Sequence, residues 1–406
     1  MKLHCDIQLP ASKSESNRAL MIAAYGGFRL DVLNLSDSRD TKLLEESLEG
    51  CRERRNIDIA DCGTAARFMA TFLACHEGDW LLTGSERMKQ RPIKPLVDAL
   101  LQLGADIQYV ENEGFLPLHI HGCPIRGGKV VLEMSLSSQF ASSLLLAAPM
   151  WPEGIEVELL GNPNSIPYLE MTMAMMRHFS AVVEWEGNLI KVAPKPYQPN
   201  TFVVSPDWSA ASYWYEMAAF SEECEIKLSS LSLSKGRPNL QGDSIIAEWM
   251  NLLGVITTQD NDPLILTKTY PDDEPIVLDF YNNPDLFPTI AATCAGLRRK
   301  ACFLGLRNLH FKESDRVGAM KKELARIGVE LRSINDDEVL LEPASVLPFY
   351  EAPNPLQFAS HDDHRIVMAL APLALKIGHV TFDHPEVVAK SYPGFWEKIG
   401  KILPIF

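Results

Sequence analysis

A chain of 406 residues, 46% hydrophobic and 22% charged, is long enough for two domains and apolar enough to bury a core in each. Its formal net charge of −15 excludes a surface built for nucleic acid or an anionic membrane. Any anionic ligand must therefore be met by local gathering of some of the 38 Lys and Arg. The eight cysteines are scattered without a CxxC pair and are read as reduced core thiols of a cytoplasmic protein. The first 18 residues lack the apolar stretch of a signal peptide, and the longest apolar run, 141–151, is far too short to span a bilayer.

In chain order, one kind of predicted helix recurs: SNRALMIAAY, GTAARFMATFLA, SSQFASSLLLAAP, SAASYWYEMAAF, PTIAATCAGL and HRIVMALAPLAL, from Ser16, Gly63, Ser137, Ser209, Pro288 and His364. Rich in alanine and apolar on nearly every face, these predict helices buried inside a domain. A second kind is amphipathic, ends on a small residue and leads into two strands: LVDALLQLGADIQYV, MTMAMMRHFSAVVEWEGNLIKV, IAEWMNLLGVITTQDNDPLILTK and MKKELARIGVELRSINDDEVLLEP. Its terminators are Gly104, Ser180, Gly254 and Gly328, spaced 76, 74 and 74 residues apart; Gly400 follows 72 later, and Gly50 precedes by only 54. The chain thus reads as six copies of a two-helix, multi-strand unit, the first shortened by roughly 20 residues.

The buried helices carry polar and basic residues at their N-terminal ends: Lys13, Ser14 and Arg18; Gly63, Thr64 and Arg67; Ser137, Ser138 and Gln139; Asp285; His364 and Arg365. Ser314 is placed as the cap of a further helix with Arg316 in its first turn. A helix N-terminus prefers negative charge, so arginines there call for a compensating anion. Asp61, Asp315 and Asp362 could supply it by pairing and capping, but across the whole set bound anions are the reading taken. HDDHR (His361 to Arg365) invites a metal, yet no third ligand cluster accompanies it, and capping with anion contact is preferred. His119 and His121, alternating on a predicted strand, are read as surface or core residues, and no Walker or GxGxxG loop occurs.

LPASKSESNRALMIAA, DCGTAARF, RMKQRPIKPLVDALLQLGA, SSQFASSLLLAAP, SIPYLEMT, DWSAASY, QGD, NNPDLFPTIA, FKESDRVGAMKKEL, DDHRIVMALAPLAL and AKSYPGFWEKI follow one another over nearly the whole chain. In this order they resemble the 5-enolpyruvylshikimate-3-phosphate synthases of the enolpyruvyl transferase family. The resemblance implies an α/β fold of two similar domains, each of three βαβαββ-like units with buried parallel helices. The domains would be 13–206, and 1–12 with 207–406, with the active site in the interdomain cleft.

The implied reaction transfers the enolpyruvyl group of phosphoenolpyruvate to the 5-hydroxyl of shikimate 3-phosphate. It implies Asp285 as base, with Glu313 and Lys13 sharing proton delivery in an undivided way. Shikimate 3-phosphate would meet Ser14, Arg18, Ser137, Ser138, Gln139, Ser165, Tyr168, Asp285 and Lys312. Phosphoenolpyruvate would meet Lys13, Gly63, Arg91, Gln139, Arg316, His364, Arg365 and Lys390. No cofactor, metal, nucleic acid or membrane is implied, and a monomer is expected.

Departures from the family pattern are Asp61, Phe68, Ile166, Trp208 and the short 49–58 segment; Asp61 threatens anion affinity unless Arg67 or Lys13 neutralises it. QGD, with Lys235 and Gly236 before it, is read as structural. A UDP-N-acetylglucosamine enolpyruvyl transferase is disfavoured, since no cysteine lies in 85–91 and Lys13 is followed by Ser14. A non-catalytic binding protein of this fold is disfavoured because Asp285 and Glu313 are both present, and a nucleic-acid-processing relative conflicts with the acidic balance.

Overall fold

The computed structural model describes the chain except residues 30, 135–136, 162–163, 234–239, 260–261, 272, 352 and 404–406. Two compact units result: Ser12–Val204, and Met1–Ala11 together with Ser205–Phe406.

The first strand, β1 (Lys2–Gln8), belongs to the second of these units. Then come α1 (Lys13–Gly26), β2 (Val32–Leu33) and α2 (Arg39–Gly50). Next are β3 (Asn56–Asp58), α3 (Gly63–Ala74), β4 (Gly78–Thr83), α4 (Lys94–Gln102), β5 (Asp106–Tyr109) and β6 (Leu118–Gly122). These form one complete βαβαββ unit, in which β3 and β4 pair in parallel and β5 and β6 return as an antiparallel hairpin. β7 (Gly128–Glu133), α5 (Ser138–Ala147), β8 (Ile155–Leu160), α6 (Ile166–His178), β9 (Val183–Glu186) and β10 (Leu189–Val192) repeat the pattern strand for strand. β11 (Phe202–Val203) then pairs in parallel with β2.

The other unit repeats the arrangement. α7 (Trp208–Phe220), β12 (Glu223–Ser229), α8 (Ile246–Asn251), β13 (Val255–Thr258) and β14 (Leu264–Lys268) are completed by β1, which pairs with β12 in parallel. β15 (Ile276–Asp279), α9 (Phe287–Leu297), β16 (Ala301–Leu304), α10 (Arg316–Ala325), β17 (Glu330–Asn335) and β18 (Glu338–Glu342) form the next copy. β19 (Leu356–Phe358), α11 (His364–Leu370), α12 (Ala374–Ile377), β20 (Val380–Phe382) and α13 (Phe395–Ile399) end the described chain.

Among the described residues six repeats are therefore present, four with a hairpin and two without. The sequence reading shortened only the first; the last copy also lacks its hairpin, because β19 and β20 pair only with each other. The first strand of two copies comes from elsewhere in the sequence: β1 serves the α7 repeat and β11 serves the α1 repeat.

The four spaced terminators share one backbone state. Gly104, Ser180, Gly254 and Gly328 have φ of 87°, 71°, 87° and 81°, the left-handed conformation that stops a helix and turns the chain into a strand. Gly400 has φ −67° and does not belong to the series.

Apolar patterning explains the layers. Every residue of α7 is buried, as is α9 from Phe287 to Gly296, so these helices run inside their unit. Small side chains let them pack closely, and hydroxyls bond across the contacts: Thr71 with Ser143 at 2.6 Å, Ser142 with Thr172 at 3.0 Å, Ser212 with Thr289 at 3.1 Å. Each satisfied pair avoids the penalty of about 1–3 kcal/mol for a buried group left without a partner. Among the described residues no helix is long and apolar enough to cross a membrane.

Candidate active site

In the Ser12–Val204 unit, α1 starts where Ser12 Oγ accepts the Glu15 N–H, which places Lys13 in the first turn. The Lys13 ammonium lies 3.0 Å from the buried Asp40 carboxylate on α2. Arg18, one turn further, is buried and donates to Thr172 Oγ1 (2.7 Å), the Ser14 carbonyl (2.9 Å), the Tyr168 carbonyl (3.2 Å) and Ser142 Oγ (3.5 Å). These bonds occupy four of its five N–H donors and bring Ser14, Arg18 and Tyr168 together. Among the described residues no carboxylate forms an ion pair with Arg18. Burial accordingly lowers its pKa to about 10, and a ligand anion would restore the balance.

α3 begins at Gly63, capped by Cys62 Sγ rather than by Asp61. Asp61 instead receives both oxygens' bonds from Arg39, at 2.8 and 2.9 Å. An arginine one helix earlier, rather than Arg67 or Lys13, neutralises the departure. Arg67 is turned inward onto the Gly63 and Pro92 carbonyls.

Arg91, buried, lies flat against the Gly63 backbone. A Cβ on Gly63 would stand 2.7 Å and 2.8 Å from its two terminal nitrogens. α5 opens with Ser137 Oγ accepting the Gln139 N–H (3.2 Å), and the Gln139 amide reaches Thr64 Oγ1 on α3 (3.3 Å). Ser138 is buried in that first turn, and Ser165 precedes α6 in a left-handed conformation, φ 56°.

The other unit holds the carboxylates. Asp285 precedes α9 and accepts Arg316 Nη1 at 2.8 Å and Arg365 Nη2 at 2.6 Å, with Lys312 Nζ 3.9 Å away. Arg316 Nη2 also donates to Glu313 (2.9 Å) and its Nε to Asp363 (2.8 Å). Asp285, Lys312, Glu313, Arg316 and Arg365 thus form one contiguous cluster. Burial works to raise the Asp285 pKa, but Arg365, Lys312 and Arg316 outweigh it and hold the carboxyl well below its usual range. Burial likewise opposes the Arg316 charge, and Asp363, Glu313 and Asp285 more than restore it.

Asp363 ties the cluster to its helices. It caps α11 by accepting the Arg365 N–H, receives Ser314 Oγ at 3.1 Å, and lies 3.5 Å from His364 Nδ1. The cap of α10 is Asp315, not Ser314. The loop before Asp363 carries two successive non-glycine residues in the left-handed region, His361 and Asp362, each with φ 53°. Such residues cost of order 1 kcal/mol each and persist only when the surroundings enforce them. Here the buried Glu323 carboxylate does so, bonded to His361 Nε2 at 2.8 Å and to the Ala359 N–H. Lys390, buried, closes a 3-10 turn that packs on α11. His119 and His121 are exposed on β6.

Behind Asp285 sits a group whose motif, QGD, reads from sequence as structural. Asp243, of the QGD element, accepts hydrogen bonds from Ser209 Oγ and from Asn283 Nδ2 (3.3 Å), and Arg365 Nη2 approaches the same Ser209 Oγ at 3.4 Å. Lys235 and Gly236 lie outside the described residues. Asp40, Asp243, Ser209 and Asn283 were not picked out as site residues. Ser209, Asp243 and Asn283 lie inside the motifs DWSAASY, QGD and NNPDLFPTIA, but nothing local marks them as facing Asp285.

Repeated βαβαββ units whose helix starts gather arginines, lysine and carboxylates define an α/β protein built to handle small anions. Comparison with known proteins agrees. Residues 46–399 match the sequence model of EPSP synthase (3-phosphoshikimate 1-carboxyvinyltransferase). The 3-phosphoshikimate 1-carboxyvinyltransferase of Bacteroides fragilis is 40% identical over 401 residues, covering 98% of this chain and 95% of that one. That of Histophilus somni is 35% identical over 428 residues, covering 98% and 96%. The chain belongs to the EPSP synthase family. Its fold is shared with EPSP synthase from Acinetobacter baumannii (TM-score 0.73, 21% identity, 99% and 96% coverage). The enolpyruvyl transferase NikO from Streptomyces tendae is similar in fold too (TM-score 0.71, 13% identity, 98% and 95% coverage).

Proposed function

We propose that this chain transfers the enolpyruvyl group of phosphoenolpyruvate to the 5-hydroxyl of shikimate 3-phosphate and releases inorganic phosphate. The observation that carries the reading is Asp285 clasped between Arg316 and Arg365, with Glu313 on the same Arg316. In that clasp Asp285 is a poor base. A phosphate or carboxylate arriving at the two guanidiniums competes for them, and as they turn to it the Asp285 carboxylate recovers its proton affinity. The base is thereby made when the substrate binds.

Asp285 takes the proton of the 5-hydroxyl as that oxygen bonds to C2 of phosphoenolpyruvate. C3 gains a proton from Glu313 or Lys13, giving a tetrahedral adduct with a methyl group. Loss of a proton from that methyl and departure of phosphate from C2 restore the double bond. Lys13, Gly63, Arg91, Gln139, Arg316, His364, Arg365 and Lys390 serve the phosphoenolpyruvate anion. Ser14, Arg18, Ser137, Ser138, Gln139, Ser165, Tyr168, Asp285 and Lys312 serve shikimate 3-phosphate. Arg18, buried and without an acidic partner among the described residues, is well suited to the sugar phosphate. We read the protein as a cytoplasmic monomer that needs no cofactor or metal for this reaction.

Phosphate release is the test. It is expected with phosphoenolpyruvate plus shikimate 3-phosphate and not with phosphoenolpyruvate plus UDP-N-acetylglucosamine; the reverse, or none, refutes the proposal. Asp285→Ala and Glu313→Ala should each slow turnover by about 10²–10⁴-fold with the fold retained, Asp285→Ala at a cost in stability because it leaves the buried Arg316 and Arg365 without that carboxylate. A near-normal rate removes that residue from the mechanism.

A further inference from the structure

A buried carboxyl, Asp243, and a half-buried one, Asp285, stand close together in this cluster, and their surroundings differ in kind. Asp285 has two guanidiniums and a lysine around it. Asp243, 4% exposed on the turn Gly242–Ile245, has only neutral donors, Ser209 Oγ and Asn283 Nδ2. Among the described residues no cation lies within ion-pair distance of it. Two adjacent carboxyls in environments that push them apart divide between a charged and a neutral role.

We propose, resting on the assignment of Arg365 to the phosphoenolpyruvate anion, that Asp243 is a positioning residue that takes up a proton when phosphoenolpyruvate binds. A neutral Asp243 holds Ser209, and through it Arg365, without cancelling the guanidinium charge. An ionised Asp243 would place a second negative charge behind Arg365, next to Asp285, and oppose the incoming anion.

The charged groups bearing on Asp243 agree with this. Burial first, and the Asp285 charge second, push its carboxyl up to about 6, while Arg365, Ser209 and Asn283 act the other way. An added substrate anion reinforces the Asp285 effect, so binding favours the proton. By linkage, raising the pH must then weaken binding. The sign is definite: above the Asp243 titration the KM for phosphoenolpyruvate rises with pH, by up to about tenfold per unit.

The test compares the full chain with Asp243→Asn, which keeps the shape and removes the titration. The ratio of their KM values for phosphoenolpyruvate is followed from pH 5.5 to 8 at saturating shikimate 3-phosphate. The substrate's own phosphate titrates alike in both assays and cancels in the ratio. The parent's KM is expected to climb relative to the variant's, with kcat moving less; superimposable profiles overturn the proposal. Should Asp243→Asn fail to fold, Ser209→Ala decides: Ser209 holds the Asp243 pKa down, so its loss should move the climb in KM to higher pH, and Ser209→Thr should restore the parent profile. An unaltered profile in Ser209→Ala overturns the idea.

An infrared measurement needs no turnover. At pH 5.5 the parent should show more protonated-carboxyl absorbance than Asp243→Asn, and equal bands refute the proposal. A parent with that band but no phosphate release would instead count against the proposed reaction.

Discussion

Gly63→Ala tests the substrate site at a single atom. The added Cβ would lie 2.7–2.9 Å from the guanidinium atoms of Arg91, whereas ordinary contact begins at 3.4 Å, so the group must retreat by about 0.5–0.7 Å. Gly63 heads α3 with an ordinary backbone conformation, and alanine favours a helix over glycine by about 0.5–1 kcal/mol. Stability should hold or rise slightly.

The displacement falls on binding. A charge-assisted bond at 2.7–2.9 Å lengthened by that amount is effectively lost. Such bonds contribute about 1.5–3 kcal/mol, which corresponds to roughly 10- to 150-fold in affinity. Steady-state kinetics should show the KM for phosphoenolpyruvate raised by that factor, with the KM for shikimate 3-phosphate changed little. In an Arg91→Ala background the alanine at 63 should add almost nothing, because the group it displaces is gone. An unchanged KM for phosphoenolpyruvate, or an undiminished effect without Arg91, would refute the reasoning.

Two further outcomes concern stability. Glu216 lies fully buried on α7, and among the described residues neither carboxyl oxygen has a hydrogen-bond partner; burial raises its pKa well above the usual value. Its contribution to stability is therefore fully present below the unfolded value, about 4.3, and fades as pH rises toward the folded one, at about 1.4 kcal/mol per unit. Urea denaturation should show Glu216→Gln gaining on the parent between pH 5 and 7, and a difference that stays constant with pH would contradict this. Ser180, in the left-handed region at φ 71°, occupies a position that is glycine in three sister repeats, so Ser180→Gly should add about 0.5–1 kcal/mol. A lower melting temperature would show that the serine side chain matters more than its strain.

What the sequence disclosed was local or periodic. The terminators Gly104, Ser180, Gly254 and Gly328 stood out because a helix stop needs one backbone state, and the same state recurs at each. The all-round apolar pattern of α7 and α9 foretold burial for the same reason. Capping was only partly legible: Asp315 and Asp363 hold the caps, while Ser314 and Asp61 are drawn to partners elsewhere. Contacts across long spans could not be read. Arg316 bonds to Asp363 47 positions away and Arg365 to Asp285 80 positions away, and only packing decides such pairings. The role of Asp243 was hidden likewise, since QGD does not reveal that it ends beside Asp285.

The strand exchange bears on how the protein is made. β1 is synthesised before the whole of residues 12–204, yet its partner β12 lies more than 200 residues later. A nascent chain must carry this strand, with Leu3 and Ile7 awaiting their core, without a neighbour through the whole time that residues 12–204 are being assembled into their own layers. Moving Met1–Ala11 to a place after residue 204 in the chain order would spare the wait, and such a rearranged chain should reach its native state with fewer aggregates.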